Sequence, residues 1–316
     1  MILTITLNPS VDINYKLEEF SLDRVNRVNS TSKTAGGKGL NVASVLRQLE
    51  EETAASGFLG GNLGDSIRKE LDIKGIIDYF VEIEGNTRNC IAIIHDGRQT
   101  EILEDGPTIS EKESNDFLKQ YSEAVQQSDY ITISGSTPQG IKDGYYSKLI
   151  EIAHQFQKPV LLDTKGSLLK ATLRSNKKPF LIKPNQDELG DLIGKAVMSE
   201  KEILTALQED ILQGVEWVMV TLGGKGAIVK HKETIYRVRI PKVEVVNPVG
   251  SGDSVIAGFA AGLSRGLKDE EFIKFGLAMG TLNALEEKTG SVDVNKINWC
   301  LGEVNVEKVV YEYNES

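Results

Sequence analysis

The sequence is poor in the residues that would staple, ligate or anchor it. Cys90 and Cys300 are its two cysteines in 316 residues, too few for a disulfide framework and consistent with reduced thiols in a cytoplasmic setting. Three histidines beside them offer no metal-cluster spacing, which argues against structural zinc. No apolar run approaches membrane-spanning length, and residues 1–9 lack the basic opening of a signal peptide. Positive charge is also short. The 36 Lys and Arg face 46 Asp and Glu, a net charge of −10, which argues against nucleic acid or an anionic membrane as partner. No repeat or low-complexity linker divides the chain, so its length reads as one large α/β domain over residues 1–316.

What is present is a set of glycine turns with chemistry beside them. Residues 247–257 read Asn-Pro-Val-Gly-Ser-Gly-Asp-Ser-Val-Ile-Ala. A β-rich segment, 240–246, is expected to lead into Asn247-Pro248, and a helix-like run follows from Ser254 to Arg265. Glycines here let the backbone approach a ligand, and a helix N-terminus favours an anion. Asp253 at that mouth would take a proton from a hydroxyl; the alternative is that it caps the helix. Val255 stands where a dinucleotide fingerprint needs its third glycine, and the position is too near the C-terminus to open that fold. Two apparent P-loops also fail, because Gly39 follows Lys38 and Gly226 follows Lys225 where Ser or Thr is required.

Hydrophobic spacing predicts strands at 2–7, 54–58, 130–134, 160–163, 180–183 and 217–221, alternating with helices. Among the helices are 111–127, 145–157, 199–213 and 268–285. That rhythm predicts a mostly parallel sheet covered by helices on both faces. Residues 79–104 break it, alternating apolar and polar around a turn at Asp96-Gly97. With roughly 10–34 they are expected to form a small β lid, with Arg88 at its entry. Asp, Asn and Gly recur at the C-terminal ends of the strands, where such sheets bind ligands.

Three stretches then coincide: Gly36-Gly37-Lys38-Gly39-Leu40-Asn41-Val42-Ala43, Lys183-Pro184-Asn185-Gln186-Asp187-Glu188 and Val249-Gly250-Ser251-Gly252-Asp253-Ser254. Together they resemble the two signatures and the Asn-x-x-Glu motif of the ribokinase/PfkB family of sugar kinases, with Asn8 to Asp12 and Ile133 to Ser136 extending the match along the chain. Asn247-Pro248, Arg88 to Ile93 and Leu103 to Pro107 are most similar to the tagatose-6-phosphate kinase branch, with fructose 1-phosphate kinases as neighbours.

The resemblance implies a ribokinase-like fold, ATP and magnesium as cofactors, a phosphosugar as substrate and an assembly such as a homodimer. It implies Asp253 as general base, with the N–H groups of Gly250, Ser251 and Gly252 as an anion hole. Asp12, Gly37, Lys38, Asn41, Arg88 and Ser136 would hold the sugar, with Lys38 and Arg88 near its phosphate. Asn185 and Glu188 would order magnesium. Lys183, Thr221, Gly223, Gly226 and Asn283 would lie on the nucleotide side. The expected reaction moves a phosphoryl group to C1 of D-tagatose 6-phosphate. The rivals are C6 of fructose 1-phosphate and a non-catalytic sugar-phosphate sensor, and the intact Asp253, Asn185 and Glu188 argue against the sensor.

Overall fold

A computed structural model describes residues 1–96 and 98–309; Gly97, in the expected turn, lies outside them. The chain opens with β1 (Ile2–Thr6), crosses into β2 (Ser10–Lys16) and β3 (Ser30–Gly36), and returns through α1 (Lys38–Gln48) to β4 (Thr53–Leu59). After α2 (Gly61–Lys74) come two short strands, β5 (Ile77–Asp78) and β6 (Val81–Glu82), then a hairpin of β7 (Arg88–His95) and β8 (Arg98–Leu103). The alternating rhythm resumes with α3 (Glu111–Gln126), β9 (Tyr130–Ser134), α4 (Tyr145–Gln155), β10 (Val160–Asp163), α5 (Gly166–Arg174), β11 (Leu181–Ile182), α6 (Gln186–Ile193), α7 (Glu200–Ala206) and β12 (Trp217–Thr221). It closes with β13 (Ala227–His231), β14 (Thr234–Arg239), α8 (Ser251–Ser264), α9 (Asp269–Ala284), α10 (Ile297–Glu303) and β15 (Asn305–Val309).

The main sheet runs β15-β14-β13-β12-β11-β10-β9-β1-β4-β5, with β6 also on β4. It is parallel from β12 to β5 and antiparallel from β12 to β15. Because a strand's side chains alternate between faces, Leu3, Ile5 and Leu162 pack with Phe117, Tyr121, Leu149 and Leu189 on one side. Ile2 and Leu161 pack with Val42, Leu46, Ile256 and Phe259 on the other. Helices therefore cover both faces, and this is the ribokinase-like α/β architecture. A second sheet, ordered β3-β2-β7-β8, stands apart from the first. Val11 and Ile13 on β2 anchor it against Leu40 of α1 and Ile67 and Leu71 of α2.

Three expectations need correction, and one hairpin was not expected. Residues 79–87 do not join the small sheet. Val81–Glu82 pairs with β4, and Phe80 and Ile83 are buried, because those side chains extend the body's apolar core. Residues 240–246 form no strand. The edge of β14 is already taken by β15, Pro241 has no N–H to give a ladder, and Val245 and Val246 are exposed. The helix expected at 199–213 ends at Ala206, and a separate 3-10 turn follows at Asp210–Leu212. Finally, the hairpin of β13 and β14 escapes a sequence reading because its tight turn, with Lys232 at φ 53°, lacks the Asn-Gly signal of such turns.

Phe117 joins α3 to the sheet: it is fully buried and its ring lies 5.0 Å from Phe58 and 5.9 Å from Tyr121. Phe117→Ala should lower the unfolding free energy by about 3–5 kcal/mol. Urea unfolding measures it, and a loss under about 1 kcal/mol would show that α3 does not depend on this contact.

Candidate active site

The C-terminal ends of β1, β9, β10, β11 and β12 fall at one edge of the parallel sheet, and two helix N-termini converge there. The first belongs to α1, whose N-cap is Gly37. Just before it, a Cβ on Gly36 would lie 2.1 Å from Cγ of Asp12, so the glycine makes room for the Asp12 carboxyl. Asp12 lies on β2 of the small sheet and accepts from Ser10 Oγ at 2.7 Å. Burial raises its pKa, with Ser10 and Arg88 opposing.

The second N-terminus is that of α8, which starts at Ser251, three residues before the expected position. Gly250 is its N-cap at φ 82°, with no side-chain capping bond, so capping does not explain Asp253. Asp253 sits in the first turn, 6% exposed, and accepts from Asn41 Nδ2 of α1 at 2.8 Å. Burial first, then the Asp163 charge, push its pKa up to about 6, against Lys38, Asn41 and Lys183. The Ser251 N–H turns back onto Pro248 O at 3.3 Å.

Between the helices lies a residue absent from the expected set. Asp163, at the end of β10 and 2% exposed, accepts from Lys38 Nζ at 3.1 Å and pairs with Lys183 Nζ at 3.3 Å. Burial opposes its charge, but Lys183 and Lys38 outweigh burial and hold the carboxyl below the usual carboxylate range. Lys38 is held above an ordinary lysine despite burial, by Asp163, Asp253 and Glu188. A Cβ on Gly252 would lie 3.0 Å from Lys183 Nζ. The lysine head is thus set against the first turn of α8. An acid at the end of a buried strand was the available signal for Asp163, but no motif marks it.

Beyond Lys183, Asn185 and Glu188 form the reciprocal capping box of α6. Glu188 N donates to Asn185 Oδ1 at 2.8 Å, and Asn185 N donates to Glu188 Oε2 at 2.9 Å. Thr221 N donates to Pro184 O, which brings Thr221 and the turn at Gly223 to the same end of the site. Gly226 closes that turn, where a Cβ would meet Val238 O at 2.0 Å.

Asn283 has a different place from the one expected. It is fully buried, donates to Val249 O at 3.0 Å and accepts from Gly290 N and Ser254 Oγ, each at 3.0 Å. Its amide holds the loop before α8.

On the opposite flank, Arg88 and Ser136 line one cleft of about 500 Å³ with Asn8, Glu104, Asp105 and Thr137. Arg88 donates to Glu104 O at 2.7 Å and Asn8 O at 3.2 Å, and its Nε is buried without a partner.

On this fold a buried carboxylate and two lysines stand beside a helix N-terminus. The PfkB family model, described as pfkB family carbohydrate kinase, matches residues 5–296. The chain belongs to the PfkB family of carbohydrate kinases and is an enzyme. It is 47% identical over 310 residues to the tagatose-6-phosphate kinase of Staphylococcus epidermidis, covering 98% of this chain and 100% of that one. Its fold is similar to that of a possible 1-phosphofructokinase from Thermotoga maritima, with TM-score 0.89, 28% identity, and 98% and 99% of the two chains covered. It is also similar to the tetrameric inhibited form of phosphofructokinase-2 from Escherichia coli, with TM-score 0.85, 26% identity and coverages of 95% and 98%. Membership of a carbohydrate-kinase family implies ATP as co-substrate.

The donors suit magnesium. Asn185 Oδ1 and the Glu188 carboxylate keep further lone pairs beyond the capping bonds. Among the described residues no group of three or more His, Cys, Asp or Glu gathers to hold an ion. Magnesium in phosphoryl transfer uses one or two carboxylates, with phosphate oxygens and water completing its octahedron.

Two predictions follow from this geometry. Asp253 has a folded-state pKa pushed up to about 6, above an ordinary aspartate, so its contribution to stability is present at low pH and is lost as pH rises through 6. Asp253→Asn removes that dependence, and between pH 4 and 7 the variant should gain up to about 3 kcal/mol relative to wild type. A constant difference across that window would place the carboxyl in a solvated setting. Glu188→Gln keeps the capping box, which accepts Gln, and removes the charge. It should raise the magnesium concentration needed for half-maximal rate, whereas superimposed titrations would limit Glu188 to capping.

Proposed function

We propose that the chain transfers the γ-phosphoryl group of ATP to the C1 hydroxyl of D-tagatose 6-phosphate, giving D-tagatose 1,6-bisphosphate. The observation that carries this reading is the buried Asp253 carboxylate in the first turn of α8, with Lys183 against the same turn. Full-length similarity to a tagatose-6-phosphate kinase supports the sugar.

In this reading the sugar lies between the small sheet and α1, its hydroxyls within reach of Asp12 and Asn41 and its phosphate in the cleft of Arg88 and Ser136. The small sheet serves as a lid. Asp253 takes the proton from the C1 hydroxyl as that oxygen attacks the γ-phosphorus, and the bond to the ADP oxygen breaks. Charge on the transferring group is met by N–H groups of the α8 turn and by Lys183. Such chemistry depends on positioning and charge stabilisation, with little covalent work for the protein. Magnesium held by Asn185 and Glu188 with the ATP phosphates would neutralise part of their charge.

A second reading, transfer to C6 of fructose 1-phosphate, is favoured by the likeness to the Thermotoga chain. The two ketose phosphates carry a phosphate at one end and a hydroxymethyl at the other, so kinetics on both, side by side, decide between them. Higher kcat/KM for fructose 1-phosphate would replace the tagatose reading. Arg88 tests the phosphate subsite. Hydrogen bonds to charged groups contribute roughly 1.5–3 kcal/mol each, so Arg88→Ala should lower kcat/KM on phosphorylated sugars on the order of 10- to 150-fold. Unphosphorylated tagatose should lose much less. An equal proportional loss would mean that Arg88 only braces Asn8 and Glu104.

A further inference from the structure

We propose that Asp163 is a positioning residue that yokes Lys38, on the sugar side of the cleft, to Lys183, against the N-terminus of α8, so that two cations bracket the phosphoryl group in transit. The proposal rests on the kinase reading above.

Each carboxylate oxygen of Asp163 serves one lysine: Oδ2 faces Lys38 Nζ at 3.1 Å and Oδ1 faces Lys183 Nζ at 3.3 Å. The lysines come from elements far apart in sequence, α1 and the end of β11, and Asp163 sits on β10 beside β11. A lysine carries a flexible four-carbon stem, and its ammonium position is set by what holds it. Asp163 is 2% exposed and the Lys183 side chain 7%, so water does little to compete for that pair, whereas the Lys38 side chain is 41% exposed on the cleft side.

A buried ion pair contributes weakly to stability, and apolar residues of like size often serve a fold better. The arrangement of these three groups points to another purpose. An ammonium has three N–H donors, and Asp163 occupies one on each lysine, leaving the others for phosphate oxygens. Gly252 adds a second sign. A Cβ there would lie 3.0 Å from the Lys183 head, a tight contact that the glycine avoids, so the first turn of α8 leaves the ammonium its place. Asp163 also faces Asp253, as do Lys38 and Asn41 from α1 and Lys183 from the end of β11. The yoke thus sets the charge around the base as well as around the phosphate.

The test is a kinetic double-mutant cycle on Asp163→Asn and Lys183→Met, with a sugar phosphate the wild type accepts and saturating ATP. Misplacement by about 1 Å costs on the order of 10²-fold, so Asp163→Asn should lower kcat by that order while KM for the sugar stays within about threefold. Because Asp163 acts in part through Lys183, the double variant should lose less than the product of the two single losses. The acid limb of kcat/KM should also move to lower pH in Asp163→Asn, since the charge that raises the pKa of Asp253 is removed. If Asp163→Asn does not fold, the double variant is compared with Lys183→Met alone and should fall below it by less than about 10²-fold. Losses that multiply, wild-type kcat in folded Asp163→Asn, or recovery with added magnesium would each overturn the yoke. An active wild type with such results sinks the yoke alone, whereas a wild type that phosphorylates no sugar phosphate sinks the kinase reading and the yoke with it.

Discussion

Everything at the site depends on holding two carboxylates, Asp163 and Asp253, nearly dry in a protein of net charge −10. Burying a charge is costly unless it is paired and hydrogen-bonded. Asp163 meets that demand with two ammoniums, and Asp253 with the Asn41 amide and the first turn of a helix. The parallel sheet makes this geometry available. It delivers β1, β9, β10 and β11 with their ends at one edge, so residues more than a hundred positions apart become neighbours.

The rigidity of that edge comes from α8. The helix is apolar on nearly every side, with a run of residues from Asp253 to Gly262 buried. It packs against α9 almost backbone to backbone. A Cβ on Gly258 would lie 2.9 Å from Cα of Gly276, and one on Gly280 would lie 3.0 Å from Ser251 O. Small residues at these crossings let the helices approach, and the close packing fixes the turn that carries Asp253. Asn283 completes the support from α9, tying Val249 O to Gly290 N. Residues on α9 thereby set the position of Asp253.

Much of the frame was legible in the sequence because it depends on local rules. Buried strands ended at glycine or acid, helices carried their apolar periodicity, and the two glycine turns marked both helix N-termini. The site was legible where a motif gathers several groups in one stretch, as around Lys38 and Asn41 or around Asp253. Asp163 was not, since its meaning lies in two lysines brought to it by the fold. Asn185 and Glu188 show a further limit. Their spacing is that of a capping box as well as of a metal motif, and the structure displays the capping bonds directly. Residues 240–246 misled because β-branched residues favour strands only where an edge is open to receive them, and β15 has taken it.

The choice of cations follows from what each must do. Arg88 stands at the flank, where its planar guanidinium holds two backbone carbonyls in fixed directions, and a rigid fork suits a phosphate that arrives already attached to the sugar. Lys38 and Lys183 stand where charge moves. An ammonium is compact and can share its three donors between Asp163 and a phosphate oxygen without turning a plane. The same two charges lower the pKa of Asp253, against burial and Asp163. On the proposed reading, a phosphate-bearing sugar and ATP bring more negative charge into the cleft, which by itself would raise the pKa of Asp253. The lysines would oppose that rise as the phosphates arrive, so substrate charge and the ionisation of Asp253 would be balanced by the same pair of side chains.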